Sequence, residues 1–100
     1  MDNGKVFEKL IKICRSKGMK ILFAPFQGYY GRLCGKRIGI ANDLDLENIN
    51  KTLAHEIAHS YLHYDKGNIV ENKDASYEEQ ADRAADMLLD AIRIAGGVQG

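Results

Sequence analysis

Apolar positions change period along the chain, and each change predicts an element. Val6, Phe7, Leu10, Ile11, Ile13 and Cys14 follow helical spacing, while Lys5, Glu8, Lys9, Lys12 and Arg15 take the opposite face. This predicts a first helix from about Asn3 to Lys17, stopped by Gly18, a residue suited to a C-terminal cap. Met19 to Ala24 is a short apolar run closed by Pro25 and reads as a strand. Tyr29–Cys34 and Arg37–Ala41 are β-prone runs flanking Gly35-Lys36, a pair that suits a type II′ hairpin. Helical spacing returns near Asp45 and persists to about Tyr64, with Ile49, Leu53, Ala54, Ile57, Ala58 and Tyr61 as its apolar stripe. Asp65 to Ala75 is polar and aperiodic, hence a loop. A third helix is expected from Ser76 to about Ala95, with Ala81, Ala85, Leu88 and Ile92 on one face and Gly96-Gly97 as its stop. The expected fold class is α+β in a single domain spanning residues 1–100. It would comprise an N-terminal helix, a small three-stranded, mostly antiparallel sheet and two further helices.

Composition narrows the function classes. The chain has 100 residues, is 45% hydrophobic and 28% charged, and balances 14 basic against 14 acidic side chains. Zero net charge gives no global case for nucleic-acid or membrane-surface binding, and no apolar run approaches the ~20 residues of a spanning helix. The N-terminal MDNGKVFEKLIKIC has no signal-peptide core. Cys14 and Cys34 are too few for a disulfide scaffold and are expected to be two buried apolar thiols, which suits a reducing, cytoplasmic location. The glycines do not form a phosphate loop, since no Gly-Lys-Ser/Thr is present. The charge is nevertheless uneven. Residues 1–50 carry nine Lys/Arg against five Asp/Glu; residues 51–100 carry five against nine, together with all three histidines. Acids and histidines together are the donors of a metal site.

Within that half, residues 55–59 read His-Glu-Ile-Ala-His, an H-E-x-x-H. Positions i and i+4 of a helix lie about 40° apart, so His55 and His59 project from one side and can reach one metal ion. Glu56 lies beside them, where it can hold and deprotonate a water molecule. Three residues compete for a third ligand position. His63 continues the row but sits about 12 Å of helix rise from His55. Asp65 falls where H-E-x-x-H-x-x-G-x-x-H/D enzymes place theirs, but the turn those enzymes make needs Gly where this chain has Leu62. The third candidate is on the last helix. Ser76 and Glu79 form an S-x-x-E capping box, which gives Glu79 a structural task and leaves Glu78 free. Packing the Ala81/Ala85 stripe against the H-E-x-x-H helix would carry Glu78 and Asp82 toward the histidines. Glu78 then suits the third ligand, and Asp82 an acceptor for the far nitrogen of a ligand histidine.

His55-Glu56-x-x-His59 followed by Glu78-x-x-x-Asp82 resembles a gluzincin metallopeptidase. More closely, TLAHEIAHSYLHY with YEEQADRAADMLL is similar to the ImmA/IrrE-type peptidase family, over about residues 20–90. The resemblance implies a minimal zincin-like fold and a cytoplasmic Zn2+ peptidase with His55, His59 and Glu78 as ligands and Glu56 as general base. It also implies a protein substrate. Relatives, often carried by phage or mobile elements, cleave helix-turn-helix repressors. The alternative is a zinc-binding, non-catalytic anti-repressor module that acts by protein–protein binding. The hairpin strand Arg37–Ala41 is expected to offer an edge to an extended substrate. Tyr61, Tyr64, Tyr77 and His63 are the candidate donors to a developing oxyanion; His63 falls beside Glu56 on the helical wheel. Specificity is expected from the basic first half, the hairpin edge or the 65–75 loop.

Overall fold

The computed structural model describes residues 2–25, 31–62 and 75–97. Asp2 caps helix α1 (Asn3–Ser16) by accepting the Lys5 backbone N–H at 2.9 Å. Val6, Leu10 and Cys14, spaced by four, form its buried stripe. At its end Gly18 adopts φ +70, its N–H reaching Arg15 O at 3.1 Å while Met19 N–H reaches Cys14 O at 2.9 Å. This is a Schellman closure, which needs a residue tolerant of left-handed backbone at Gly18. It turns the chain directly into strand β1 (Lys20–Ala24).

Strands β2 (Gly31–Cys34) and β3 (Arg37–Ala41) form the expected hairpin. Gly35 has φ +60 and Lys36 no positive φ, the pattern of a II′ turn. The sheet order is β1-β3-β2, with β1 parallel to β3 and β2 antiparallel to it. The sheet is therefore mixed, and only its hairpin half is antiparallel. The order also corrects the expectation of a substrate edge at Arg37–Ala41. Those residues form the central strand, paired on both sides, and the edges belong to β1 and β2. Burial explains the placement: Ile38 and Ile40 are fully buried, as side chains of a central strand over a helical layer should be.

Helix α2 (Leu46–Leu62) starts behind Asp45, whose Oδ1 accepts the Asn48 N–H at 2.9 Å. Its Leu53, Ala54 and Ile57 meet the sheet and α1 in the core. Buried Asn50 donates from Nδ2 to Asn3 O at 2.9 Å, tying α2 to the start of α1. Helix α3 (Ala75–Gly97) lays Ala81, Ala85 and Leu89 against α2 and the core. It begins one residue before Ser76 and runs through Gly96-Gly97, so Ser76 lies inside the first turn. The carboxylate of Glu79 accepts from Arg83 Nη2 at 2.7 Å, an exposed i,i+4 pair. Cys14 is buried, and burial pushes its thiol up to about 11. Cys34 is exposed, against the expectation of two buried thiols, because it falls on the face of β2 turned away from the helices.

Gly31 marks the closest approach of strand to helix. A Cβ built there would stand 2.4 Å from Thr52 Cγ2 and 3.4 Å from Glu56 Cγ. Its φ is not positive, so the constraint is purely steric. Gly31→Ala should therefore destabilise the protein by about 1–3 kcal/mol through overpacking. Adding Thr52→Ser, which removes the colliding methyl, should restore most of it. Urea midpoints of both variants provide the check; a double variant no more stable than Gly31→Ala would disprove the steric account.

Candidate metal centre

The site is built where α2 and α3 touch. Both helices bury small residues, Ala54 and Ala58 on α2 and Ala81 and Ala85 on α3, and small side chains allow packed helices to approach closely. His55 and His59, one turn apart on α2, then meet Glu78 from the start of α3. The ring nitrogens His55 Nε2 and His59 Nε2 are 3.1 Å apart, and the rings meet edge to face at 80°. Glu78 faces both, with Oε2 3.0 Å from His55 Nε2 and Oε1 3.0 Å from His59 Nε2. One turn further along α3, Asp82 Oδ1 lies 2.8 Å from His55 Nδ1.

Carboxylates thus face both ring nitrogens of His55. Asp82 can accept the Nδ1 proton, and that tautomer leaves the Nε2 lone pair free for a metal ion. In that state the lone pairs of two imidazoles and a carboxylate converge on one point. Electron-pair donors repel at such distances unless a cation lies between them. Donors about 2.0–2.1 Å from a tetrahedral metal stand about 3.3 Å from one another. The observed 3.0–3.1 Å separations are close to that edge length, and one ligand atom from each residue lies within 4.8 Å of the others. The residues fit a metal ion. His59 is buried, His55 is one-fifth exposed and Glu78 half exposed, so the centre opens on the Glu78 side.

Glu56 sits next to this group at the foot of β2. It is 6% exposed, and its Oε2 has no hydrogen-bond partner among the described residues. Burial pushes its carboxyl up to about 7, His55 opposing the rise and Glu78 adding to it. A carboxylate so placed is poised to take and release protons near neutral pH.

A family model matches residues 14–96, described as the IrrE N-terminal-like domain, a peptidase family. The chain belongs to this family. The match runs from the end of α1 to the end of α3 and so covers the IrrE-type centre just described. No curated protein and no solved structure gives a significant match.

The other residues singled out from the sequence divide three ways. His63, Tyr64 and Asp65, and the rest of the 65–75 loop before Ala75, lie outside the described residues. Tyr61 does not share the histidine face. It follows His59 by two residues, hence by about 200° of helix, and its ring lies under Lys17 Nζ at 3.5 Å. Tyr77 is half-buried in the first turn of α3, adjacent to Glu78 in sequence. Sequence reasoning missed Gly31, whose importance lies only in a contact with Thr52 and Glu56 two elements away. It also missed Asn50, a polar residue inside an apolar stripe, where the signal was present.

The raised Glu56 pKa has a sign that can be tested in the IrrE-type protein without metal. The folded value, about 7, exceeds the ordinary 4.5 of the open chain. Ionised Glu56 therefore opposes folding. The penalty is absent below about pH 4.5, grows as pH rises toward 7, and is complete above it, reaching roughly 3 kcal/mol. Glu56→Gln should raise the chelator-treated melting temperature by several degrees at pH 8 and by progressively less toward pH 5. A difference independent of pH would contradict the assignment.

Proposed function

We propose that this chain is a zinc-dependent peptidase that hydrolyses a peptide bond in a regulatory protein, a helix-turn-helix repressor or one similar. The observation that carries the reading is an unpartnered, buried Glu56 carboxylate beside a convergent His55/His59/Glu78 donor set in a chain of a peptidase family. Two imidazoles and a carboxylate are the ligand chemistry of catalytic zinc sites. Bound there, zinc would supply Lewis-acid polarisation of the scissile carbonyl and of the attacking water.

The chain's own residues have separate tasks. His55, His59 and Glu78 hold the ion. Asp82 accepts the Nδ1 proton of His55, which fixes the ring's orientation and makes Nε2 a better donor. Glu56 accepts the proton of the attacking water at Oε2 and passes it to the leaving nitrogen, so the C–N bond breaks as the new C–O bond is completed. Its burial excludes water and keeps the carboxyl near neutral pKa, where it can do both. The edge of β2, which ends at Gly31 against Glu56, is the strand that an extended substrate would join, replacing the central strand expected from sequence. His63 remains a proposed donor to the oxyanion. No helix among the described residues is long and apolar enough to cross a membrane, and the two unpaired cysteines support a reducing, cytoplasmic compartment.

Zinc analysis and proteolysis test this reading together. Purified protein should bind one zinc per chain, and activity against a co-encoded regulatory protein should disappear with a chelator and return with zinc. Glu56→Gln should keep the metal and lose at least about a hundredfold in kcat. A Glu56→Gln protein with its full biological effect would identify a module that acts by binding alone.

Ligand assignment has its own check. Alanine at His55, His59 or Glu78 should each weaken zinc binding strongly, and Asp82→Ala by about 10–100-fold. Glu79→Ala should leave zinc affinity unchanged and cost only about 0.3–0.5 kcal/mol through its exposed Arg83 pair. Competition against a chelating dye measures all five; equal losses for Glu78→Ala and Glu79→Ala would overturn the assignment.

A further inference from the structure

A second cleft lies at the far end of the sheet, where α1 ends, β1 begins and the β2–β3 hairpin turns. It encloses about 390 Å³ and is walled by Lys17, Met19, Gly35, Lys36, Ser60 and Tyr61. Lys17 Nζ rests 3.5 Å from the centre of the Tyr61 ring. Lys36 Nζ reaches across Gly18, 3.9 Å from where a Cβ there would stand. Beside them, Lys20 and Arg37 are register partners on neighbouring parallel strands. Like charges placed side by side on a sheet cost stability.

No carboxylate among the described residues pairs with Lys17, Lys20, Lys36 or Arg37; the ion pairs that form elsewhere use Lys51 and Arg83. Two helix C-termini, those of α1 and α2, do point into this region and attract cations. Each carries only about half a negative charge, so together they offset about one of the four cations. Nothing among the described residues offsets the surplus.

We infer that this cleft binds an acidic side chain of an extended protein segment, serving as a specificity pocket for the substrate. The chemistry is that of a carboxylate. Two lysines line the cleft, Lys17 with its ammonium over the Tyr61 ring and Lys36 with its ammonium near Gly18, and the Tyr61 ring and Met19 add apolar lining for an aliphatic stem. Position favours a peptide over a polynucleotide. The cations cluster at one end of a chain of zero net charge, and the cleft adjoins the hairpin end of β2. β2 is an edge strand whose other end, Gly31, touches Glu56. From Gly31 to Gly35 an extended chain advances about 13 Å. A segment paired along β2 would thus place a side chain in the cleft about four residues from the bond beside Glu56. The inference rests on the peptidase reading for that direction alone.

The test uses Glu56→Gln protein, so that binding is measured whether or not the chain is a peptidase. Fluorescence anisotropy would compare a labelled Ser/Thr/Ala peptide carrying three Glu residues, its Gln isostere and a labelled oligothymidine of equal length. The acidic peptide should bind at least tenfold more tightly than the Gln isostere. Its affinity should fall steeply between about 0.05 and 0.5 M salt. Lys17→Ala with Lys36→Ala should remove at least fivefold of the preference, and Lys36→Glu alone, in an exposed turn, should remove a similar share. Lys51→Ala should change nothing. Equal binding of the Glu and Gln peptides, tighter binding of oligothymidine, or indifference to both lysine variants would each overturn the inference.

Discussion

Everything at the centre depends on how closely α2 and α3 can approach. His55 and His59 are one turn apart and would share a face on any helix. Glu78 and Asp82 come from a different helix, and their side chains must cover the interaxial gap. The two helices bury alanine at positions 54, 58, 81 and 85, side chains small enough to keep such a gap short. With larger residues at these positions, the Glu78 carboxylate would stand off from the imidazoles. Small residues give up burial area for reach, and the larger Leu53, Ile57 and Leu89 of the same two helices are buried in the core.

The same helix faces two environments. On its α3 side, α2 presents the imidazoles to carboxylates that are half or more exposed. On its sheet side it carries Thr52 and Glu56 under Gly31. Glu56 is dry because a strand without a side chain lies directly on it, and dryness raises its pKa. A buried ionised carboxylate without a partner among the described residues opposes folding, and the protein retains it beside the convergent His55, His59 and Glu78. The basic end of the sheet shows a similar cost, since Lys20 and Arg37 are like charges on register-paired strands with no carboxylate partner among the described residues.

Local features proved legible in the sequence wherever the chemistry was local. The Gly18 closure, the Gly35 turn, the Asp45 start of α2 and the one-sided pair of histidines each depend on a few adjacent residues, and each lies where the pattern indicates. Glu78 and Asp82 were legible because a helical repeat fixes which residues share a face, and the apolar stripe shows which way that face turns. Glu79 shows what spacing leaves open. It stands three residues after Ser76 and four before Arg83, and the contact with Arg83 becomes visible only in the folded helix.

What the sequence by itself determined is the set of elements, the identity of the convergent donors and the family. Period, caps and turn residues act over a few positions and need no distant partner. Tertiary structure alone decided the strand order, the Gly31 contact and the gathering of Lys17, Lys20, Lys36 and Arg37. Each depends on segments separated in sequence being brought side by side. Whether β3 lies in the centre or at an edge depends on which side of it β1 docks, and that is settled by burying Ile38 and Ile40 against the helices. The 1–50 charge excess was visible from the start. Only the fold turned part of it into a cleft, because charge has no period to read and its meaning depends on what stands next to it in space.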